Sequence, residues 1–169
     1  MLRSIVSRPG RAAGVLLALT GAAILILATS DRLPAQGAKG KSETKVKATA
    51  TATKPDADGN QVVTVTLDIE KGWHLYANPV GNDDLDGAKT IVTVASKVKL
   101  QNVKVEYPVG TVHQDKVIGN YKVYEDRVAI RAHVQRASGD TGPLQVSVKV
   151  NACDASKCLP PGEIKLTVP

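Results

Sequence analysis

The chain has 169 residues, 43% of them apolar but only 3% aromatic, with no Phe at all. Such a length and composition allow one domain with a modest aliphatic core, plus an extension. The formal charge of +6 falls to +3 without three arginines near the N-terminus, and the remaining lysines alternate along strand-like runs. A nucleic-acid surface would cluster that charge and interleave it with aromatics, so nucleic acid is set aside as a partner.

Arg3, Arg8 and Arg11 precede an uncharged run from Ala12 to Ser30, with no acid before Asp31. This is the pattern of an export signal over residues 1–30. Small residues at Ala28 and Ser30 suit cleavage before Asp31, while the uncharged run is also long enough to stay as a membrane anchor. No cysteine follows it, which excludes a lipoprotein signal. Export predicts a periplasmic compartment in which disulfides persist, with a tether to the inner membrane if the segment is retained.

Residues 31–42, "DRLPAQGAKGKS", have the small, polar, Pro/Gly-containing composition of a flexible linker. The folded domain is therefore expected over 43–169. Within it, apolar and polar residues alternate at 44–53, 61–69, 89–96, 127–135, 144–151 and 163–168, the period of half-buried strands. Turn signals such as "PDADGN" at 55–60 and "SGDTGP" at 138–143 separate these runs, and nothing beyond the signal holds a helical period. The expected fold is an all-β sandwich of about seven to nine strands. Val128, Ile130, Ala132 and Val134 should face one core with Leu144, Val146, Val148 and Val150, while Arg127, Arg131 and Lys149 face water.

"NDDLDG" at 82–87 imitates the start of a calcium loop through Asn82, Asp84, Asp86 and Gly87. Position twelve of such a loop needs a bidentate Glu and here is Thr93, so a solvated acidic turn fits better.

The two cysteines of the chain, Cys153 and Cys158, stand in "VNACDASKCLPP" at 150–161. Trp73 precedes both, so a bond between them is not the inter-sheet pin of antibody domains, where a Trp lies between the cysteines. A structural staple is one reading, although so short a loop contributes only ~2 kcal/mol against ~4.7 for a hundred-residue loop. A dithiol that exchanges electrons is the second. Lys157 beside Cys158 favours a thiolate there, whereas Asp154 beside Cys153 opposes one. A zinc or copper clip is the third and weakest, because the other ligands would be His74, His113 and His133, scattered over separate segments. No cofactor motif is present, and neither a cofactor nor a metal is expected.

Three stretches together, "KGWHLYANP" at 71–79, "GTVHQDKVIGNYKVYEDRV" at 110–128 and "VNACDASKCLPPGEIKLTV" at 150–168, resemble the N-terminal domain of the thiol:disulfide interchange protein DsbD in order and spacing. The resemblance implies an immunoglobulin-like domain that takes electrons from a thioredoxin-like donor and passes them to exported thiol–disulfide client proteins, as a component of a protein-disulfide reductase. Cys158 then matches the sulfur that forms mixed disulfides and Cys153 its resolving partner. The family shields its cysteines with a cap loop, here Asp115 to Gly119, and Val117 takes the position where the family carries an aromatic. His74 and Tyr76 match positions flanking the active site. With the multi-span and thioredoxin-like domains of DsbD not following Pro169, the donor is expected to be another polypeptide. The rival is a non-catalytic binding or scaffold sandwich whose disulfide stays permanently oxidised.

Overall fold

The structure is a computed structural model that describes residues 40–169; the expected export segment at 1–30 and most of the linker at 31–42 lie outside the described residues. Among the described residues no helix is long and apolar enough to cross a membrane. Ser42, read from the sequence as linker, instead opens a short 3-10 turn, Ser42–Lys45, and is fully buried.

Eleven strands follow: β1 (Val46–Ala52), β2 (Asn60–Ile69), β3 (His74–Tyr76), β4 (Ile91–Ser96), β5 (Asn102–Glu106), β6 (Thr111–Asp115), β7 (Gly119–Tyr124), β8 (Arg127–Gln135), β9 (Leu144–Val150), β10 (Ala152–Cys153) and β11 (Gly162–Val168). They pair antiparallel in three sheets, in the orders β1-β2-β8-β5, β10-β3-β7-β6 and β11-β9-β4, and form an immunoglobulin-like β-sandwich. The six alternating runs became β1, β2, β4, β8, β9 and β11. The additional strands are short or exposed: β3 and β10 have three and two residues, and β5 buries no side chain completely.

Alternation sets the core. In β2, Val63, Val65 and Leu67 point inward and lie opposite Ala132, Ile130 and Val128 of β8. From the facing sheet, Val92 and Val94 of β4 lie opposite Val148 and Val146 of β9, so two aliphatic faces close on each other. Arg127, Arg131 and Lys149 are exposed, as the period-two reading requires.

The sheet β10-β3-β7-β6 carries the cysteine segment at one edge and the β6–β7 hairpin at the other. It joins the main core through Leu75, Tyr124 and Ala152, and adds a second small cluster of Tyr76, Val80, Val123 and Cys153. The cysteine segment is thus set on a packed platform.

The acidic stretch after Asn82 forms a 3-10 turn, Asp83–Ala88, whose first amides are capped when the Asn82 side chain accepts from the Asp84 N–H. The same side chain donates its amide to the Ile118 carbonyl at 2.7 Å. Its task is to tie the β6–β7 hairpin to this turn.

Candidate functional site

Cys153 and Cys158 are joined by a disulfide with their Cα atoms 4.0 Å apart. The local backbone explains the proximity. Leu159 N–H donates to the Ala152 carbonyl and Asp154 N–H to the Lys157 carbonyl, both at 2.9 Å, making a miniature hairpin. The cysteines face each other between these bonds as a non-hydrogen-bonded antiparallel pair, the arrangement that brings Cα atoms closest.

The tip of this hairpin is fixed by Asp154. One carboxylate oxygen accepts from Ser156 N–H at 2.8 Å, the Ser156 hydroxyl at 2.8 Å and Lys157 N–H at 2.9 Å. The bonds from Ser156 hold the Asp154 carboxyl below its ordinary pKa, so it stays charged.

The base of the hairpin is fixed from the other end of the domain. The Ser42 hydroxyl accepts from Ala152 N–H at 2.9 Å and donates to the Pro160 carbonyl at 2.8 Å, while Ser42 N–H donates to that same carbonyl at 3.0 Å. Next to it, a Cβ on Gly162 would meet the Glu43 backbone nitrogen at 2.6 Å, so glycine is what lets the N-terminal turn lie this close.

The two sulfurs have different surroundings. Cys153 is 2% exposed, within the cluster of Tyr76, Val80 and Val123, whereas Cys158 is exposed. The Tyr76 hydroxyl lies 3.7 Å from Cys153 Sγ and 4.0 Å from Cys158 Sγ. A disulfide sulfur carries no hydrogen, so the tyrosine is the donor in both contacts. Burial, and then neighbouring Tyr121, push the Tyr76 phenol up, which keeps that O–H protonated at neutral pH.

His74 pairs with Cys153 across β3 and β10. Its ring closes a circuit of four: His74 to Tyr76 at 6.0 Å between centroids, Tyr76 to Tyr121 at 5.7 Å, Tyr121 to His113 at 5.7 Å and His113 back to His74 at 5.4 Å. Burial and the adjacent His113 hold the His74 imidazole below its ordinary pKa. It is therefore neutral at pH 7, a group that can accept a proton beside the disulfide.

The Lys157 ammonium lies 6.0 Å from the Trp73 ring centroid, with Lys45 at 4.9 Å from the same ring. In the oxidised state Lys157 thus rests at an aromatic face. Asp115 turns the β6–β7 hairpin by accepting Val117 N–H at 2.7 Å and Ile118 N–H at 3.0 Å. Those amide bonds, Ile118 first, keep its carboxyl below the ordinary range. Val117, matched to the position where the family can carry an aromatic over the disulfide, is 92% exposed. The hairpin tip is held by Asp115 and Asn82 instead, and an isopropyl group this exposed has no packing partner to draw it inward.

The structure therefore brings Cys153, Cys158, Tyr76 and His74 together and leaves Val117 apart. His133 is also apart, paired with Glu106 at 3.1 Å on β8 and β5. Among the described residues no group of three or more His, Cys, Asp and Glu side chains is placed to hold a metal ion. Sequence reasoning missed Ser42, Tyr121 and the stacking role of His113. Tyr121 lies in the quoted stretch at 110–128, but Ser42 carries no signal beyond being a small hydroxyl residue at the edge of a linker.

A redox-capable cysteine pair, with one sulfur buried and one exposed at the edge of an immunoglobulin-like sandwich, defines a thiol–disulfide exchange module. The family described as the N-terminal part of the thiol:disulfide interchange protein DsbD matches residues 42–168, and the chain belongs to that family. Among solved structures, the N-terminal periplasmic domain of ScsB from Proteus mirabilis is similar, with 15% identity and a TM-score of 0.52 over 72% of this chain and 44% of that one. The reduced DsbD N-terminal domain of Neisseria meningitidis has 18% identity and a TM-score of 0.47, over 74% of this chain and 85% of that one. A complex between the DsbD N-terminal and PilB N-terminal domains of the same organism matches with 16% identity and a TM-score of 0.43, over 70% and 80% of the respective chains. No curated protein matches the sequence.

Proposed function

We propose that this chain is an exported electron-transfer module that carries reducing equivalents from a thioredoxin-like donor to client disulfides. The observation that carries the reading is the unequal exposure of the pair: a partner thiolate can reach Cys158, while Cys153 is buried. Attack of the donor thiolate on Cys158 Sγ forms a mixed disulfide and expels Cys153 as a thiolate, which takes up a proton. The donor's second thiolate then attacks the donor sulfur of the mixed disulfide and releases Cys158, so the donor is oxidised and the module reduced by two electrons. In the second half-cycle, Cys158 thiolate attacks a client disulfide and expels one client thiolate. Cys153 then attacks Cys158 Sγ, re-forms the internal disulfide and releases the second client thiol.

Around this cycle Tyr76 would donate to a developing thiolate, His74 would take up a proton, and Lys157 would favour charge at Cys158 once it leaves Trp73. Asp115 shapes the hairpin beside the site, and Val117 at its tip is free to meet a partner. Residues 1–30 would direct the domain to the periplasm and, if retained, tether it to the inner membrane.

The test is a Cys153→Ala variant incubated with reactive thioredoxin-like proteins. A covalent complex through Cys158 that dissolves on adding dithiol is the expected result, and absence of any such complex sinks the proposal. A reduction potential below about −300 mV would instead mark the permanently oxidised scaffold.

A further inference from the structure

Among the described residues, Ser42 is the one fully buried hydroxyl that touches the backbone on both sides of the disulfide hairpin. Its four bonds meet Ala152, one residue before Cys153, and Leu159 and Pro160, one and two residues after Cys158. None of these bonds involves a sulfur, so nothing in cysteine reduction itself breaks them. The N-terminal turn thus holds the two strands of the hairpin at a fixed separation from outside the redox pair.

We propose that Ser42 is a positioning residue for thiol–disulfide exchange, which keeps the reduced cysteines opposed and so sets how readily the pair closes. This rests on the exchange reading above. When the disulfide opens, Cys158 is exposed and its hairpin keeps only backbone bonds and the Asp154 contacts at the tip. With the base clamped, the dithiol remains near its bonded geometry and each thiol sees the other at high effective concentration. Without the clamp the strands part, and closing the disulfide must first gather them again. The clamp therefore favours the oxidised form and speeds the step in which Cys153 resolves a mixed disulfide.

The test is redox equilibration of the full chain against glutathione buffers, for wild type, Ser42→Ala and Ser42→Thr. Ser42→Ala should lower the closure constant about tenfold, a rise of about 30 mV in reduction potential, and Ser42→Thr should restore most of it. A purely structural serine would destabilise both redox forms alike, and an unchanged potential in a folded Ser42→Ala protein overturns the inference. Should that variant not fold, amide hydrogen exchange of the wild type decides. Ala152 N–H should stay protected after reduction, and loss of its protection on reduction refutes the clamp. Failure of wild type to equilibrate with glutathione at all would count against the exchange reading, whereas equilibration with an unshifted variant counts against Ser42 alone.

Discussion

The hydroxyl of Tyr76 stands 3.7 Å from the buried sulfur of Cys153, donating toward a bond that reduction will replace with a charged acceptor. A hydrogen bond to a charged group contributes about 1.5–3 kcal/mol, and the long contact seen in the oxidised state argues for the lower end. Tyr76→Phe keeps the ring and its packing but removes the donor. The reduced variant should have a raised thiol pKa and exchange roughly tenfold more slowly at neutral pH, since about 1.4 kcal/mol is a factor of ten. The pH dependence of alkylation by iodoacetamide measures both.

His74 gives the domain a stability term with a definite sign. Its imidazole is held below the ordinary value of 6.5 by burial and by His113, with Glu125 and Asp154 pulling the other way. As pH falls through 6.5 the unfolded chain binds a proton that the folded domain does not yet accept, so stability is lost with acidification. His74→Gln removes that component. The urea midpoint of the variant, relative to wild type, should therefore improve between pH 7.5 and pH 5.5, and a constant difference would show that burial of His74 has no such effect.

Asp154 combines two roles that substitutions separate. Asp154→Asn keeps an oxygen to accept the Ser156 and Lys157 amides but removes the negative charge beside Cys153. Its reduced form should have more acidic thiols and react severalfold faster near neutral pH. Asp154→Ala frees those amides, so the hairpin tip loosens and the reduction potential rises. Thiol titration and glutathione equilibration together tell the two outcomes apart.

Leu75 and Val117 should behave as opposites. Leu75 is fully buried on the strand between His74 and Tyr76, and Leu75→Ala should cost about 2–5 kcal/mol in urea unfolding. Val117 is nearly free of contacts, so Val117→Ser should change stability by less than about 0.5 kcal/mol. Reduction of Val117→Ser by dithiothreitol should match wild type, because so exposed a side chain buries little of anything beneath it. A marked acceleration would restore Val117 to a shielding role.

How far the sequence reaches depends on whether a residue's task repeats along the chain. Val63, Val65 and Leu67 with their partners on β8, and Val92 and Val94 with theirs on β9, were legible because alternation is periodic and burial on one face enforces it. β6 and β7 were not, because β6 buries no side chain and β7 buries only Val123 and Tyr124 at its end, so no alternation marks either strand. At the site, the charge beside each cysteine distinguished the two sulfurs in sequence, whereas their unequal exposure is visible only in the fold. Ser42 was illegible because its partners are Ala152 and Pro160, far along the chain and bonded through backbone atoms that no side-chain pattern encodes.

Ser42 and Pro160 are separated by 118 positions, yet they meet at the base of the cysteine hairpin. A ribosome delivers Ser42 long before Pro160, and the serine cannot be seated until Pro160 has followed it. An unfinished chain thus carries its thiols on an unanchored loop, open to stray pairing, while the alternating strands behind it can already be collapsing. The disulfide hairpin is thus seated by a contact that exists only when both ends of the domain have met.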